Sequence, residues 1–237
     1  MSGHSKWHSI RRQKEATDQK RGKIFTKLAK GISVAAREGG GDPEMNFQLR
    51  VAISRAKAAN MPKDNIERAI SKGTGEGSDA VFEELLYEGL GPEKIPVVIK
   101  VLTDNRNRAV SDIKHLLSKS GGSLGSSGSV MWQFDYRGVI LSEQKEITER
   151  IEEVLLESGA LDYTISDEGI EIITEPQELD TVRKHLEEND VPITSAELAY
   201  IPKETQTPQN ANAWQKFIDM LDDLDDVDSF FTTAEDV

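Results

Sequence analysis

The residues of this 237-residue chain with the clearest capacity for chemistry are basic and lie in its first third. Lys23, Lys27, Lys30 and Arg37 recur at steps of three, four and seven residues, so a helix places them on a single stripe. The apolar residues between them recur with the same period and predict the opposite, buried face of that helix. The pattern predicts a helix that packs by its apolar side while its basic side lies along phosphate groups.

Further basic residues extend this pattern over the first 75 residues. Arg50 and Lys57 fall on a second predicted helix, and Arg68 and Lys72 fall on a third. Trp7 could stack on an unpaired base or anchor the N-terminal segment on the helices, and the sequence leaves both open. The other open alternative is that the whole basic face is simply solvated. The basic residues of the N-terminal segment that we count as candidate nucleic-acid contacts, with Trp7, are Lys6, Arg11, Arg12, Lys20 and Arg21.

Another candidate anion site is the stretch Asp104–Arg108, where a predicted strand passes into a helix. An Asn or Asp is expected there as a helix cap, whereas Arg106 and Arg108 in the first helical turn oppose the helix dipole. Together with the free backbone N–H groups of that turn, they predict an anion site. The alternative is an ion pair with the acidic surface of a neighbouring domain. The glycine- and serine-rich loop 121–129, beside Lys119, could approach a phosphate backbone or be a mobile connection, and it lacks the ending of a P-loop.

Catalytic arrangements are missing from the sequence. The chain has no cysteine, which excludes disulfides, thiolate metal sites and a cysteine nucleophile. The acidic run Asp222–Asp228 could serve a metal-dependent nuclease, but its spacing spreads the carboxylates around a helix end. We therefore interpret it as a solvated charge run, and we predict no enzyme activity, no cofactor and no metal site.

The formal net charge of −13 hides a strong asymmetry. Residues 1–75 hold 16 Lys and Arg against 7 Asp and Glu, and the remainder carries an excess of 22 negative charges. This predicts a basic domain for a polyanion, carried on an acidic body that could meet a protein partner. No apolar run reaches the roughly 20 residues of a membrane span, so we expect a cytoplasmic protein without membrane contact.

The periodicity predicts an α+β fold of three domains. Residues 1–78 form a three-helix bundle, whose third helix begins with a capping-box pattern at Asp64 and Glu67. A βαββαβ order over residues 137–202 predicts a ferredoxin-like domain. It is inserted into a second α/β domain of the same kind, formed by residues 79–136 and 203–237. The predicted elements of that interrupted domain are strands Phe82–Leu90, Ile95–Thr103, Val130–Tyr136 and Val227–Thr232, and helices Asn107–Ser120 and Trp214–Leu224.

The sequence also resembles the YebC/PmpR family of transcriptional regulators. The matching stretches include Gly-His-Ser-Lys-Trp (3–7), Lys-Arg-Gly-Lys-Ile-Phe-Thr-Lys-Leu (20–28), Lys-Ala-Ala-Asn-Met-Pro-Lys-Asp-Asn-Ile (57–66) and Leu-Thr-Asp-Asn-Arg-Asn-Arg (102–108). The resemblance implies three domains, a cytoplasmic location and no cofactor. It implies DNA binding linked to transcription in some bacterial members, and a translational role at the ribosome in mitochondrial and some bacterial relatives.

Residues and resemblance together predict a monomeric nucleic-acid-binding regulator, with DNA as the favoured target. The alternative is a ribosome-associated translation factor that binds ribosomal RNA through the same basic surface. The third class, a metal-dependent nuclease, would depend on the acidic run. The absence of a helix-turn-helix pattern disfavours base reading in the major groove and leaves recognition of backbone or RNA shape more open.

Overall fold

The computed structural model describes residues 18–75 and 82–235, with side chains from residue 22 onward. The helices in these ranges are α1 (Asp18–Gly39), α2 (Phe47–Ala58), α3 (Lys63–Gly73), α4 (Arg106–Lys119), α5 (Glu149–Glu157), α6 (Leu179–Glu188) and α7 (Ala211–Asp223). The strands are β1 (Glu83–Leu90), β2 (Pro96–Thr103), β3 (Ser123–Leu124), β4 (Phe134–Ser142), β5 (Asp162–Ser166), β6 (Gly169–Thr174), β7 (Ile193–Pro202) and β8 (Val227–Thr232). None of these helices is long and apolar enough to cross a membrane. The predicted α+β fold is confirmed.

Helices α1, α2 and α3 form a bundle around one small apolar core. Two buried polar side chains fix its geometry. The Ser33 hydroxyl donates to the Ala69 carbonyl at 2.8 Å and ties α1 to α3. Asn46 caps α2 by accepting from the Leu49 N–H at 3.0 Å, and its amide donates to the Ala35 carbonyl at 2.7 Å. The core residues are Leu28, Ile32, Leu49, Ala56, Ile66 and Ala69.

The start of α3 differs from its predicted capping box. The residue at the cap is Pro62, which makes no side-chain hydrogen bond. The proline ring sets φ at −57°, so it preorganises the first turn without a side-chain cap. Glu67 pairs instead with Lys63 at 3.4 Å, one turn back along the exposed surface. The predicted capping box is therefore wrong.

The first sheet has the antiparallel order β3-β1-β2-β8, and α4 and α7 cover one of its faces. Strand β8 pairs with β2, where Val98 lies opposite Phe231. Segments from both sides of residues 134–202 thus share one sheet, as the prediction of an inserted domain requires. The exact domain boundaries remain a prediction.

The second sheet has the order β5-β6-β4-β7 and is also antiparallel. Its strands and helices follow the chain as βαββαβ, which with this strand order is the ferredoxin-like arrangement. Helices α5 and α6 cover one face through a core that includes Val154, Leu155, Ile172, Val182 and Leu186. Phe47 and Val51 of α2 pack against the same core, so the helical bundle rests directly on this sheet.

Strand β4 corrects the predicted strand Val130–Tyr136. Met131–Gln133 forms a 3₁₀ turn, and the strand that starts at Phe134 runs unbroken through Gly138 in the second sheet. Gly138 separates the two strands that the sequence predicts, but it stays in the strand. A Cβ at Gly138 would collide with the Thr174 hydroxyl of the paired strand β6 and would crowd Leu179 of α6, so the glycine allows the close approach of these neighbours. The third strand of the first sheet is the two-residue β3 instead.

The two sheets meet face to face through a third apolar cluster. The Tyr200 ring lies edge-on to the Phe231 ring, with 5.3 Å between the ring centroids. This packing makes the inserted unit a rigid neighbour of the first sheet. The buried members of the cluster are Val98, Val130, Phe134, Val139, Leu141, Ala199 and Phe231.

A buried carboxylate organises the loop that joins the sheets. Glu88 of β1 accepts backbone N–H bonds from Gly128 at 2.6 Å and from Val130 and Met131 at 2.8 Å each. Burial alone would raise the pKa of Glu88, but these three hydrogen bonds outweigh it and hold the pKa below its ordinary value. The loop is therefore held in one conformation by an ionised group.

We expect Glu88→Gln to lower the free energy of unfolding by about 2–4 kcal/mol, because the amide cannot accept all three N–H bonds. Urea unfolding of the full chain measures this. The matched control is Glu84→Gln on the same strand, where only the partly exposed ion pair with Lys100 is removed, and there the cost stays below about 1 kcal/mol. Equal losses of stability in the two variants would contradict the assigned role of Glu88.

Candidate nucleic-acid interface

The basic stripe of α1 faces the acidic run between α7 and β8, here called the acidic turn (residues 222–228). Lys23 Nζ lies 3.1 Å from Asp223 Oδ1. Lys27 Nζ donates to the Asp222 carbonyl at 2.7 Å. Stripe and turn are therefore docked on each other within one chain.

The docking becomes more buried toward Lys30. The pair Lys23–Asp223 is largely exposed, so solvent and salt screen it. Lys30 Nζ lies 2.9 Å from Asp226 Oδ1, and both side chains are only 12% exposed. Burial lowers the pKa of the intervening Lys27, although the nearby aspartates oppose the shift. The buried end of the stripe thus carries the stronger electrostatic contact.

Helix α2 docks in the same manner. The Arg50 guanidinium lies 2.9 Å from Asp180 of α6, and it also donates to the Pro43 carbonyl at 2.6 Å. Arg55 lies between Glu197 at 3.6 Å and Asp228 at 3.4 Å. The carboxylate of Asp228 is the main cause that raises the pKa of Arg55. Sequence reasoning missed Arg55, because its partners come from strands far away in the chain.

The acidic turn is only partly the solvated charge run that the sequence suggested. Asp222, Asp223 and Asp225 are exposed, whereas Asp226 and Asp228 are not. The Asp228 side chain is 4% exposed, and Asp226 accepts from Lys30, Arg108 and Thr103. The interpretation fails for Asp226 and Asp228, because the turn packs against the helical bundle and both carboxylates pair with cations there. Within residues 18–75 and 82–235, no group of three His, Asp or Glu side chains could hold a metal ion.

Arg106 and Arg108 lie at the start of α4, where Asn105 caps the helix by accepting from the Arg108 N–H at 3.0 Å. Arg106 pairs with Glu83 at 2.8 Å, and Arg108 pairs with Asp104 at 2.9 Å and Asp226 at 2.8 Å. Both guanidinium groups thus face carboxylates of the acidic body. This is the ion-pair alternative that the sequence left open, although the carboxylates belong to the strands and turn beside α4.

The remaining candidate residues are placed differently. Arg37 donates to the Phe82 carbonyl at 3.1 Å. Lys57 is exposed and forms no ion pair within the described ranges. The side chains of Lys20 and Arg21 on α1, and all of Lys6, Trp7, Arg11 and Arg12, lie outside the described residues.

A groove with cationic residues lies between α1 and α3. Its volume is about 370 Å³, and none of its lining residues is an Asp or Glu. Three of them are cations: Lys30, Arg68 and Lys72. The apolar lining consists of Phe25, Ala29, Met61, Ala69 and Phe82. We call this the cationic groove.

Local contacts hold the cations of the groove at its rim. Lys72 Nζ lies 4.9 Å from the centroid of the Phe82 ring, and Lys30 Nζ lies 5.5 Å from it, both within cation–π range. The exposed Arg68 donates to the Asn65 side chain and to the Asp64 carbonyl. The helical period places Arg68 and Lys72 on one face of α3. No local sequence pattern predicts that the apolar residues and Phe82 complete the groove.

Comparison with known proteins places the molecule in a family. The model of the TACO1/YebC N-terminal domain matches residues 5–76, and the model of the TACO1/YebC second and third domain matches residues 82–234. The chain belongs to the TACO1/YebC family. The cationic groove lies at the border of the two matches, because Phe82 begins the second one.

Relatives of the TACO1/YebC family align over the full length of the chain. A protein of Desulforamulus reducens is 44% identical, with 100% of both chains covered. A protein of Syntrophotalea carbinolica is 49% identical over 99% of this chain and 96% of its own. Both carry the name "Probable transcriptional regulatory protein". A crystal structure of a conserved hypothetical protein from Aquifex aeolicus is 42% identical, covers 93% of this chain and 92% of its own, and superposes with a TM-score of 0.82.

We expect the docking of the bundle to weaken in acid. Burial would raise the pKa of Asp226, but the hydrogen bonds from Lys30 and Arg108 hold it below the ordinary value. A carboxyl with a lower pKa in the folded chain stabilises it above the unfolded pKa of about 4. That stabilisation is lost as the pH falls through the folded pKa. Urea unfolding between pH 7 and pH 3 measures the loss.

The matched variants are Asp226→Asn and Asp223→Asn. At pH 7 the first should cost up to about 3 kcal/mol because it leaves the buried Lys30 without its carboxylate partner, and the second less than about 1 kcal/mol. Asp226→Asn should also flatten the acid dependence. An unchanged pH profile in that variant would assign the acid sensitivity to other carboxylates.

Proposed function

We propose that the protein is a nucleic-acid-binding regulator, with DNA and transcription as the favoured target and process, and that the cationic groove is its contact surface. The observation that carries the proposal is a groove without an acidic lining residue, in which Arg68 and Lys72 form no ion pair within the described part of the chain, although the net charge of the protein is −13. The names of the relatives support the regulatory role. The proposal includes a monomer in the cytoplasm, with no cofactor and no catalysis.

The chemistry of the groove suits a phosphodiester chain. Arg68 offers a planar guanidinium that can bind two phosphate oxygens at once, and Lys72 offers a point charge beside it. The apolar floor around Phe25 and Met61 can receive the sugar or base that hangs from the phosphate. A groove of this kind binds the nucleic-acid backbone and discriminates little between base sequences.

The stripe lysines remain predicted nucleic-acid contacts, but we expect them to contribute less to binding than the groove cations. Lys23, Lys27 and Lys30 are engaged by the acidic turn, so a phosphate reaches them only by replacing an aspartate or a carbonyl oxygen. Replacing an aspartate by a phosphate adds little binding free energy where the existing ion pair is buried and well formed. Nucleic acid is therefore expected to bind first at the groove.

A ribosome-associated translation factor that binds ribosomal RNA is the second candidate. The observation that favours it is the form of the site, a recess between two helices. Reading bases in the major groove of DNA calls for a projecting helix or ribbon, whereas folded RNA is bound through its backbone, its shape and its unpaired bases.

Reversing the charges of the groove should weaken binding strongly. We expect Arg68→Glu combined with Lys72→Glu to weaken nucleic-acid binding at least tenfold at about 150 mM salt. The slope of log affinity against log salt on duplex DNA should become shallower by about 0.9 for each phosphate that a groove cation no longer neutralises. Fluorescence anisotropy with a labelled duplex and a labelled hairpin RNA measures both quantities.

The control for this experiment is Lys145→Glu combined with Lys216→Glu, which makes the same change in net charge. Both of these lysines are exposed and lie away from the groove. Equal losses of affinity in the two double variants would show a general charge effect and remove the groove from the proposal.

The nature of the target is tested by ultraviolet crosslinking in growing cells, followed by sequencing of the attached nucleic acid. We expect reads concentrated at promoter DNA. Reads dominated by ribosomal RNA would replace transcription by translation and leave the groove as a reader of RNA.

A further inference from the structure

The exposed side chain of Trp132 is unusual in this structure. It is 68% exposed, whereas Trp214 of the first sheet's core is 4% exposed. The indole N–H donates to the Ser129 carbonyl at 3.2 Å. Since the only polar group of the ring is already bonded, the outward part of the indole has only its aromatic surface to offer a partner.

The backbone around Trp132 is held from two sides. The carboxylate of Glu88 binds the N–H groups of Gly128, Val130 and Met131, which immediately precede it. Lys203 Nζ donates to the Trp132 carbonyl at 2.9 Å. The indole is therefore preorganised, so stacking of a ligand on it costs little conformational entropy of the protein.

The surroundings of Trp132 differ in charge from the rest of the acidic body. Residues 113–134 contain no Asp or Glu, although the chain has 42 of them. The same stretch carries Lys114, His115 and Lys119, all exposed and without an ion pair within the described part of the chain. The loop between Lys119 and Trp132 adds the exposed hydroxyls of Ser126 and Ser127. Asp135 directly follows this stretch, and its Oδ1 lies 3.7 Å from Lys203 Nζ in a half-exposed pair. A pair of this kind is weak, so a phosphate can replace Asp135 at Lys203.

We propose that Trp132 and the loop 121–129 form a second site, which binds one unpaired nucleotide of a bound nucleic acid. The base stacks on the indole, and its phosphate takes the place of Asp135 beside Lys203, with the exposed hydroxyls of the loop as further donors. This inference rests on the proposed function and adds to it a preference for single-stranded regions. Stacking on a rigid aromatic ring tolerates any base, so the site adds affinity without sequence readout.

The direct test follows the fluorescence of Trp132 in the full chain. In the Trp7→Phe variant the remaining indoles are Trp132 and the buried Trp214. A 12-nucleotide oligouridylate should quench the emission, and a 12-base-pair duplex should quench it much less. In the double variant Trp7→Phe, Trp132→Phe, which keeps only Trp214, the quenching should disappear.

Affinity supplies the second readout. We expect Trp132→Ala to weaken binding of the oligouridylate by about 5- to 150-fold, while Trp132→Phe, which keeps an aromatic ring, loses less. The side chain is exposed, so both variants should unfold at the wild-type temperature. The variant Arg68→Glu, Lys72→Glu should weaken duplex and single strand alike, whereas Trp132→Ala acts mainly on the single strand.

Each other outcome is decisive. Unquenched emission with unchanged affinity of Trp132→Ala would overturn the nucleotide site, leave the proposed function standing and assign the exposed indole to a protein contact. Failure of the wild-type chain to bind either probe would overturn the proposed function and this site together.

Discussion

The ion-pair layer between the helical bundle and the acidic turn is the contact on which the rest of the arrangement depends. Asp226 is its centre, because it accepts from Lys30 of the bundle, from Arg108 of α4 and from Thr103 of β2. A carboxylate with three donors is stable in a partly buried place, since its lost hydration is replaced by hydrogen bonds. Removal of one charged partner would leave the other charge unpaired in a place with little water. The loss in folding free energy would therefore exceed the net stabilisation that the intact ion pair provides.

The layer also decides which cations remain for a ligand. Lys23, Lys27, Lys30 and Arg55 contact carboxylates or carbonyls, so much of the positive charge of the described part of the bundle is paired within the chain. At physiological salt the repulsion between the acidic body and a polyanion is screened beyond about 8 Å. A polyanion is therefore attracted most where cations form no ion pair. In the cationic groove this holds for Arg68 and Lys72 within the described part of the chain, whereas Lys30 is paired with Asp226.

The local sequence pattern predicts most of the helices and strands, but it does not predict which other segments they contact. Strand Val227–Thr232 and the cap at Asn105 follow from residues adjacent in sequence, and the structure has both where they are predicted. The strand Val130–Tyr136 was wrong, because the fate of Phe134 is decided by pairing with β7, some 60 residues away. Glycine is a residue type typical of turns, but Gly138 lies within a strand, where the Thr174 side chain of the paired strand β6 and Leu179 of α6 leave no room for a larger residue. Contacts between distant segments decided both cases, and no window of sequence contains them.

The candidate site has the same limit in a sharper form. Helical periodicity shows that Lys23, Lys27 and Lys30 share a face, but it cannot show whether that face meets a phosphate or an aspartate. The segregation of basic and acidic residues in the chain indicates part of the answer. The acidic segment belongs to the same chain as the stripe lysines, so it competes with an external polyanion for them at an effective concentration near millimolar and loses no translational freedom. An external polyanion at micromolar concentration meets that competitor at each stripe lysine. It competes best at the exposed Lys23–Asp223 pair, where screening has already weakened the internal contact, and worst at Lys30–Asp226. The burial gradient along one helix thus orders the lysines by their availability, which counting charges could not do.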